Sequence, residues 1–208
     1  DDGSVSYGLT GSGYVVLIIV CVLLMTIGCF ARDNNSKLNV KHIAFAAMAI
    51  ALAVATSMIK VIKLPMGGSV TLFIVLIGYW YGIKTGLTAA IAYGVLQLLL
   101  DPYILNIPQV LLDYILGFGA LGLSGIFSKS KHGLVKGYII GVIGRFICSF
   151  LSGWIFFAVY TPDFFNSAIL YSVVYNGSYI GLEAVVTLVV ISLPPVNKAL
   201  AYVKNNLV

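Results

Sequence analysis

The chain reads as long apolar runs separated by short polar breaks, and the runs have the length of membrane crossings. Residues 13–31 carry no charge, and Arg32, Lys37 and Lys41 follow them. A second run, 43–59, lies between Lys41-His42 and the pair Lys60 and Lys63. Leu64-Pro-Met-Gly-Gly-Ser-Val70 then breaks the pattern with Pro and paired Gly, which read as loop. A third run, 71–83, ends at Lys84, and a fourth, 85–100, ends at Asp101-Pro102. A turn at 102–108 precedes a fifth run to Phe127, closed by Lys129, Lys131, His132 and Lys136. The sixth run spans 137–160 and the seventh 168–193, which stops at Pro194-Pro195. A helix needs roughly 20 mostly apolar residues to cross the hydrocarbon core. The pattern therefore predicts an all-α polytopic membrane protein. Its parts are an outer segment (1–12), a transmembrane helix (13–31), a linker (32–42), a six-helix core (43–195) and a tail (196–208).

Composition sharpens that picture. Of 208 residues, 60% are hydrophobic and 9% charged, against about a quarter charged in a soluble domain. Such a chain cannot cover its own surface in water, which excludes a secreted or cytosolic globular enzyme. The formal net charge of +5 is no nucleic-acid footprint either, because it follows the loops. If the first run crosses outside to inside, the cytoplasmic segments hold Arg32, Lys37, Lys41, Lys84, Lys129, Lys131, Lys136, Lys198 and Lys204. The outer segments hold only Lys60 and Lys63, beside Asp1, Asp2, Asp101 and Asp163. Basic residues favour the cytoplasmic side, so the N-terminus is expected outside and the C-terminus in the cytoplasm. The acidic flank before residue 13 argues against a cleavable signal, which carries positive charge there. Lys60 and Lys63 either snorkel from a helix end or rim an outer entrance.

Three ionisable residues fall inside crossings: Asp113, Arg145 and Glu183. Each costs roughly 2.5 kcal/mol or more at mid-membrane, so such residues face a cavity or a partner. Arg145 reads first as half of a structural pair. Asp113 follows Gln109 by one turn and precedes Tyr114. In the last crossing Ser172, Asn176, Tyr179 and Glu183 recur at helical spacing on one face, with Tyr171 and Tyr175 beside them. The preceding crossing carries Arg145, Ser149 and Ser152, then Gly153, Trp154, Phe156 and Phe157. Helix–helix hydrogen bonding accounts for the serines. An acid, an amide and several rings at similar outer depth suit a small-molecule pocket with a cationic ligand.

What the sequence lacks also matters. Both histidines lie outside the crossings, and no HExxH, GxSxG or P-loop occurs, so binding without chemical transformation is expected. No metal or cofactor is called for. Cys21, Cys29 and Cys148 show no paired spacing and read as packing residues. In the second run Ala47, Ala51 and Ala55 recur every fourth position, a pattern that lets another helix approach closely. That neighbour is either one of the chain's own helices or an external partner.

These residues resemble a known family. Lys63-Leu-Pro-Met-Gly-Gly-Ser-Val-Thr-Leu72, Tyr93 to Ile104, Gln109-Val-Leu-Leu-Asp-Tyr114, Gly119 to Gly125, Gly144-Arg-Phe146, Ser152-Gly-Trp-Ile-Phe-Phe157 and Tyr171 to Tyr179 occur in order. Together they resemble the thiamine-specific S components of energy-coupling factor (ECF) transporters over about residues 40–195. The resemblance implies a multi-pass subunit of the bacterial cell membrane. It would bind thiamine from outside and associate with a transmembrane coupling subunit and two ATPases. It places the ligand-pairing acid at Asp113, beside Tyr114, and polar contacts at Tyr171 and Asn176. The stacking ring falls on Phe157, near Gly153. The loop over the pocket falls on Pro65, Met66, Gly67 and Gly68. The coupling-subunit contact falls on Ala47 and Ala51, with Ala55 continuing the repeat. Three departures stand out: Ser149 where the family usually has a ligand-contacting His, Phe157 where some members have Trp, and the additional helix at 13–31. The first motivates the alternatives of another vitamin or a flavin. A membrane assembly subunit without a working pocket is the reading from a different class.

Overall fold

A computed structural model describes residues 40–58 and 70–206 of the chain. The expected crossing at 13–31, Lys60, Lys63 and the loop residues Pro65, Met66, Gly67 and Gly68 lie outside the described residues. The described part is helical throughout. Helices α1 (Val40–Met58), α2 (Val70–Tyr81), α3 (Ile83–Leu100), α4 (Ile107–Phe127), α5 (Gly133–Phe156), α6 (Ala168–Ser192) and α7 (Pro194–Asn206) follow in order. Four of them, α3 to α6, are long and apolar enough to cross a bilayer, and α1 and α2 contain shorter apolar helices. The six-helix core read from the apolar runs is therefore present.

Three boundaries differ from the sequence reading. The third run does not continue through Ile83. Gly82 adopts φ 86°, a conformation that glycine reaches at little cost, so α2 ends at Tyr81 and Ile83 opens α3. The sixth run stops at Phe156 and is followed by a single tight turn, Ala158–Tyr160. Its start lies earlier than expected, at Gly133, after His132 turns the chain with φ 57°. The segment after Pro195, read as a tail, is the helix α7. It is too polar to show as an apolar run, yet it is held firmly. The ammonium of Lys204 donates to the Tyr79 carbonyl at 3.1 Å and to the Ser128 carbonyl, and it stands 3.6 Å from the Tyr79 ring centre. These are carbonyls at or just beyond the ends of α2 and α4, which lack partners within their own helices. Burial among them pushes the Lys204 pKa down.

The core runs through all six crossings. Ala49 and Ala53 of α1, Ile74 and Ile77 of α2, Ala90 and Tyr93 of α3, Leu121 of α4, Tyr138 of α5 and Ile180 and Ile191 of α6 are buried in one cluster. Close approach in the α2–α3–α4 block depends on missing side chains. A Cβ on Gly122 of α4 would lie 2.6 Å from the backbone of Gly86 and Leu87 of α3. Outward, Ile139, Ile143 and Ile147 of α5 and Leu182, Val185 and Val189 of α6 are exposed, a surface fit for acyl chains. The ends separate cleanly. Tyr79, the 128–133 turn and α7 share one end, while the 101–106 loop and Phe157 share the other.

Candidate functional site

The site begins with an irregularity in α4. Residues Leu111–Leu116 form a π turn, in which Gly117 N–H reaches back five residues to the Leu112 carbonyl. The last stretch, Ala120–Phe127, is wound tightly as a 3-10 helix. An under-wound turn moves side chains off the regular helical spacing and is frequent at functional sites. Here it carries Asp113 and Tyr114.

Asp113 is half-buried and faces α5. Its Oδ2 accepts from Gln109 Nε2 at 2.7 Å and from Ser152 Oγ at 2.7 Å. Oδ1 takes no hydrogen bond among the described residues, so half of the carboxylate is open to a further donor or cation. Gln109, almost fully buried, also accepts from Leu105 N–H at 3.1 Å through its side-chain oxygen, and its own N–H donates to Asn106 Oδ1 at 2.8 Å. The acid is thus positioned by the start of its own helix.

Ser152 and Gly153 carry the site to α6. A Cβ at Gly153 would stand 2.4 Å from Ser172 Oγ and 2.9 Å from Asn176 Nδ2; its absence lets α5 and α6 close on one another. Ser172 donates to the Phe150 carbonyl of α5 at 2.7 Å. Asn176 donates to the Ser172 carbonyl at 3.0 Å and accepts from the Tyr179 hydroxyl at 2.9 Å. Ser149 lies one turn further in, within hydrogen-bond reach of the Tyr179 phenol. Ser152, Ser172 and Asn176 are all buried. The α5–α6 contact is therefore a seam lined by hydrogen-bonded side chains of α6, of which Ser172 crosses to α5.

Rings close the seam at the end shared by the 101–106 loop and Phe157. Phe157 stacks on Tyr103 with centroids 5.6 Å apart and planes at 27°. Tyr160 flanks Phe157 at 6.1 Å. Tyr171 sits between Phe165 and Tyr175, at 5.2 and 5.7 Å. Tyr114 plays a different part from Asp113. Its hydroxyl accepts from Tyr103 N–H at 2.9 Å and donates to the Asp101 carbonyl at 3.1 Å. It is a strut for the 101–106 loop, and through that loop it holds the Tyr103 ring on Phe157.

Of the residues singled out from sequence, the structure brings Asp113, Ser149, Gly153, Phe157 and Asn176 into or along one seam. Tyr171 lies among the rings at its end and Tyr114 behind it. Tyr103 was missed. Its signal was slight: one ring in a short loop whose partner, Phe157, is more than fifty residues away in the sequence. Ala47, Ala51 and Ala55 stand apart from this site. All three are exposed on α1, beside exposed Met48 and Leu52, whereas Ala49 and Ala53 are buried. The alanine repeat is thus not used against the chain's own described helices.

Four likenesses to known proteins accompany this geometry. A family model described as "Thiamine transporter protein (Thia_YuaJ)" matches residues 43–202. The thiamine transporter ThiT of Bacillus subtilis (strain 168) is 31% identical over 180 residues, covering 77% of this chain and 92% of the relative. ThiT of Lacticaseibacillus paracasei is 28% identical over 166 residues, covering 72% and 81%. A solved structure of ThiT from Listeria monocytogenes shares the fold, with a TM-score of 0.56 at 22% identity, covering 74% of this chain and 93% of that one.

Proposed function

The chain belongs to the thiamine transporter family, and from that premise we propose that it is the thiamine-binding S component of an ECF-type uptake transporter. The observation that carries the reading is Asp113, whose carboxylate is fixed by Gln109 and Ser152 on one oxygen and open on the other. Thiamine offers a permanently cationic thiazolium and a flat aminopyrimidine. A fixed carboxylate away from bulk water attracts such a cation far more strongly than it would in water. Phe157, aligned by Tyr103, offers a face for the flat ring, and Asn176 and Tyr171 supply polar contacts on the α6 side. The site performs no chemistry on its ligand; it selects and holds it.

The 101–106 and Phe157 end is read as the outer face and the α7 end as the cytoplasmic one, in accord with the lysines at 84, 129, 131, 136, 198 and 204. The strip Ala47, Ala51 and Ala55 is read as the surface on which the transmembrane coupling subunit packs, with two ATPases beyond it. Small side chains there permit close backbone approach in lipid.

Titration of thiamine and riboflavin into the purified protein tests the ligand assignment. Saturable thiamine binding that is lost in Asp113→Asn supports it. Riboflavin binding without thiamine binding would transfer the S-component reading to a different vitamin.

A further inference from the structure

Two turns inward from Asn176, α6 carries a second polar tier that the binding site does not use. Glu183 Oε1 accepts the Thr71 backbone N–H at 3.3 Å and also the Thr71 hydroxyl. Its other oxygen lies 3.7 Å from Arg145 Nη1, with the two side chains 9% and 12% exposed. The Arg145 guanidinium stands 4.9 Å above the Phe118 ring. The buried Tyr138 phenol lies alongside, near Thr71 and Thr187, without a hydrogen-bond partner among the described residues. One carboxylate therefore gathers groups from α2 and α5, with α4 beneath the arginine.

The chemistry of the tier is directional. Near the beginning of the described part of α2, the Thr71 N–H finds its partner in Glu183. A carboxylate there satisfies that donor within the bundle. A buried acid with only one of these partners would be costly; with all of them it has one low-energy placement. Glu183 fixes this level of α6, where a Cβ at neighbouring Gly181 would meet nothing within 4 Å. On the same helix Asn176 and Tyr171 form one wall of the site, while Arg145 lies one turn below Ser149 and two below Gly153 on the facing helix.

We propose that Glu183 is a positioning residue for the ligand site: anchored by Thr71 and Arg145, it sets the depth and rotation of α6, and hence where Asn176 and Tyr171 stand opposite Asp113. The inference rests on the thiamine reading only for its binding readout. Among the described residues Thr71 touches none of those assigned to the ligand, so an effect of Thr71→Val on binding that vanishes once Glu183 is replaced passes through Glu183.

Thiamine affinity and the ligand-free thermal midpoint are measured for the wild type and for Thr71→Val, Glu183→Gln, Glu183→Leu and the double variant Thr71→Val/Glu183→Leu. The loss of one buried hydrogen bond should weaken binding by about 3-fold in Thr71→Val, and Glu183→Gln, which keeps an acceptor, should lose about as little. Glu183→Leu should lose about 30-fold, and the double variant no more than that, since both substitutions remove the same contact. Unchanged affinity in Thr71→Val and Glu183→Leu with a lowered midpoint would reduce the tier to general stabilisation and overturn the proposal; so would additive losses. If Glu183→Leu does not fold, the Thr71→Val and Glu183→Gln affinities decide on the same terms. Spin labels at Ile147→Cys of α5 and Val174→Cys of α6, both exposed, with the native cysteines replaced, give a ligand-free readout. Their distance distribution should broaden in Glu183→Gln, and an unchanged distribution overturns the proposal. A wild type that ignores thiamine would defeat the functional reading alone, and the label distances would still decide this one.

Discussion

The α2–α3–α4 block and the α5–α6 seam are both close helix contacts, but they are closed by different material. In the block, backbone meets backbone: Gly122 lies so near Gly86 and Leu87 that no side chain fits. In the seam, side chains intervene: Ser172 of α6 reaches the Phe150 carbonyl of α5, and Asn176 ties Ser172 to Tyr179 along α6. Van der Waals contact between backbones has one workable geometry, and a void there has nothing to fill it. A hydrogen-bonded seam can exchange an internal partner for one on a ligand. The block is the frame, and the seam is where we propose that a small molecule is admitted.

The sharpest way to break this comparison is to put a side chain on each partner. Gly122→Leu should leave little folded protein in detergent, because overpacking against backbone has no rotamer to relax into and costs about 1–3 kcal/mol or more. Gly153→Ala meets Ser172 Oγ and Asn176 Nδ2 instead, side-chain ends that can turn away, so it should stay folded and lose thiamine binding. Size-exclusion profiles and titrations of the two variants check the contrast; equal loss of folded protein would erase it.

The next largest effect concerns a surface belonging to neither region. Ala47→Trp or Ala51→Trp should reduce thiamine uptake by whole cells to background while the isolated protein binds thiamine normally, since both positions are exposed. Binding lost in detergent would mean that the strip supports the frame.

Within the seam, Asp113→Asn should weaken thiamine by about 100-fold, the equivalent of about 2.7 kcal/mol, as a charge-assisted contact becomes a neutral one. Glu183→Gln should have a far smaller effect, because it lies two turns from Asn176. Calorimetric titration of both checks the order, and equal losses would remove Asp113 from its assigned role.

The smallest effect tests a single ring. Ser149→His should tighten thiamine by about 1 kcal/mol, the scale of one aromatic contact, if the seam has room for an imidazole next to Tyr179. Weaker thiamine binding with unaltered folding would show that the serine suits the native ligand.

The crossings were legible because lipid demands long apolar runs, and each run of the core is a helix here. Their ends were less so. The apolar run passes through Gly82, and only its positive φ ends α2 there; Ala158–Tyr160 is as apolar as the helix before it. α7 was invisible to hydropathy since it rests on an end of the bundle rather than crossing lipid. In the site, Gln109 and Asp113 were legible as neighbours by their four-residue spacing. The pairing of Glu183 with Arg145 and Thr71 joins three helices, and no spacing rule reaches across helices. Nor does any residue pattern announce the π turn, which turns Asp113 towards Ser152 while Tyr114 reaches the 101–106 loop.

The Lys204 contact carries a consequence for the order of assembly. Its carbonyl partners, Tyr79 and Ser128, precede it by 125 and 76 residues. Ribosomes add residues vectorially, so α2 and α4 are synthesised, and can enter the bilayer, well before this amine exists. Until then their terminal carbonyls must be served by water or headgroups, as unpartnered helix ends are. The last clasp on the frame is therefore a late step, made after the crossings are in place. A ribosome stalled before residue 204 would hold a bundle that is inserted but still open at that end.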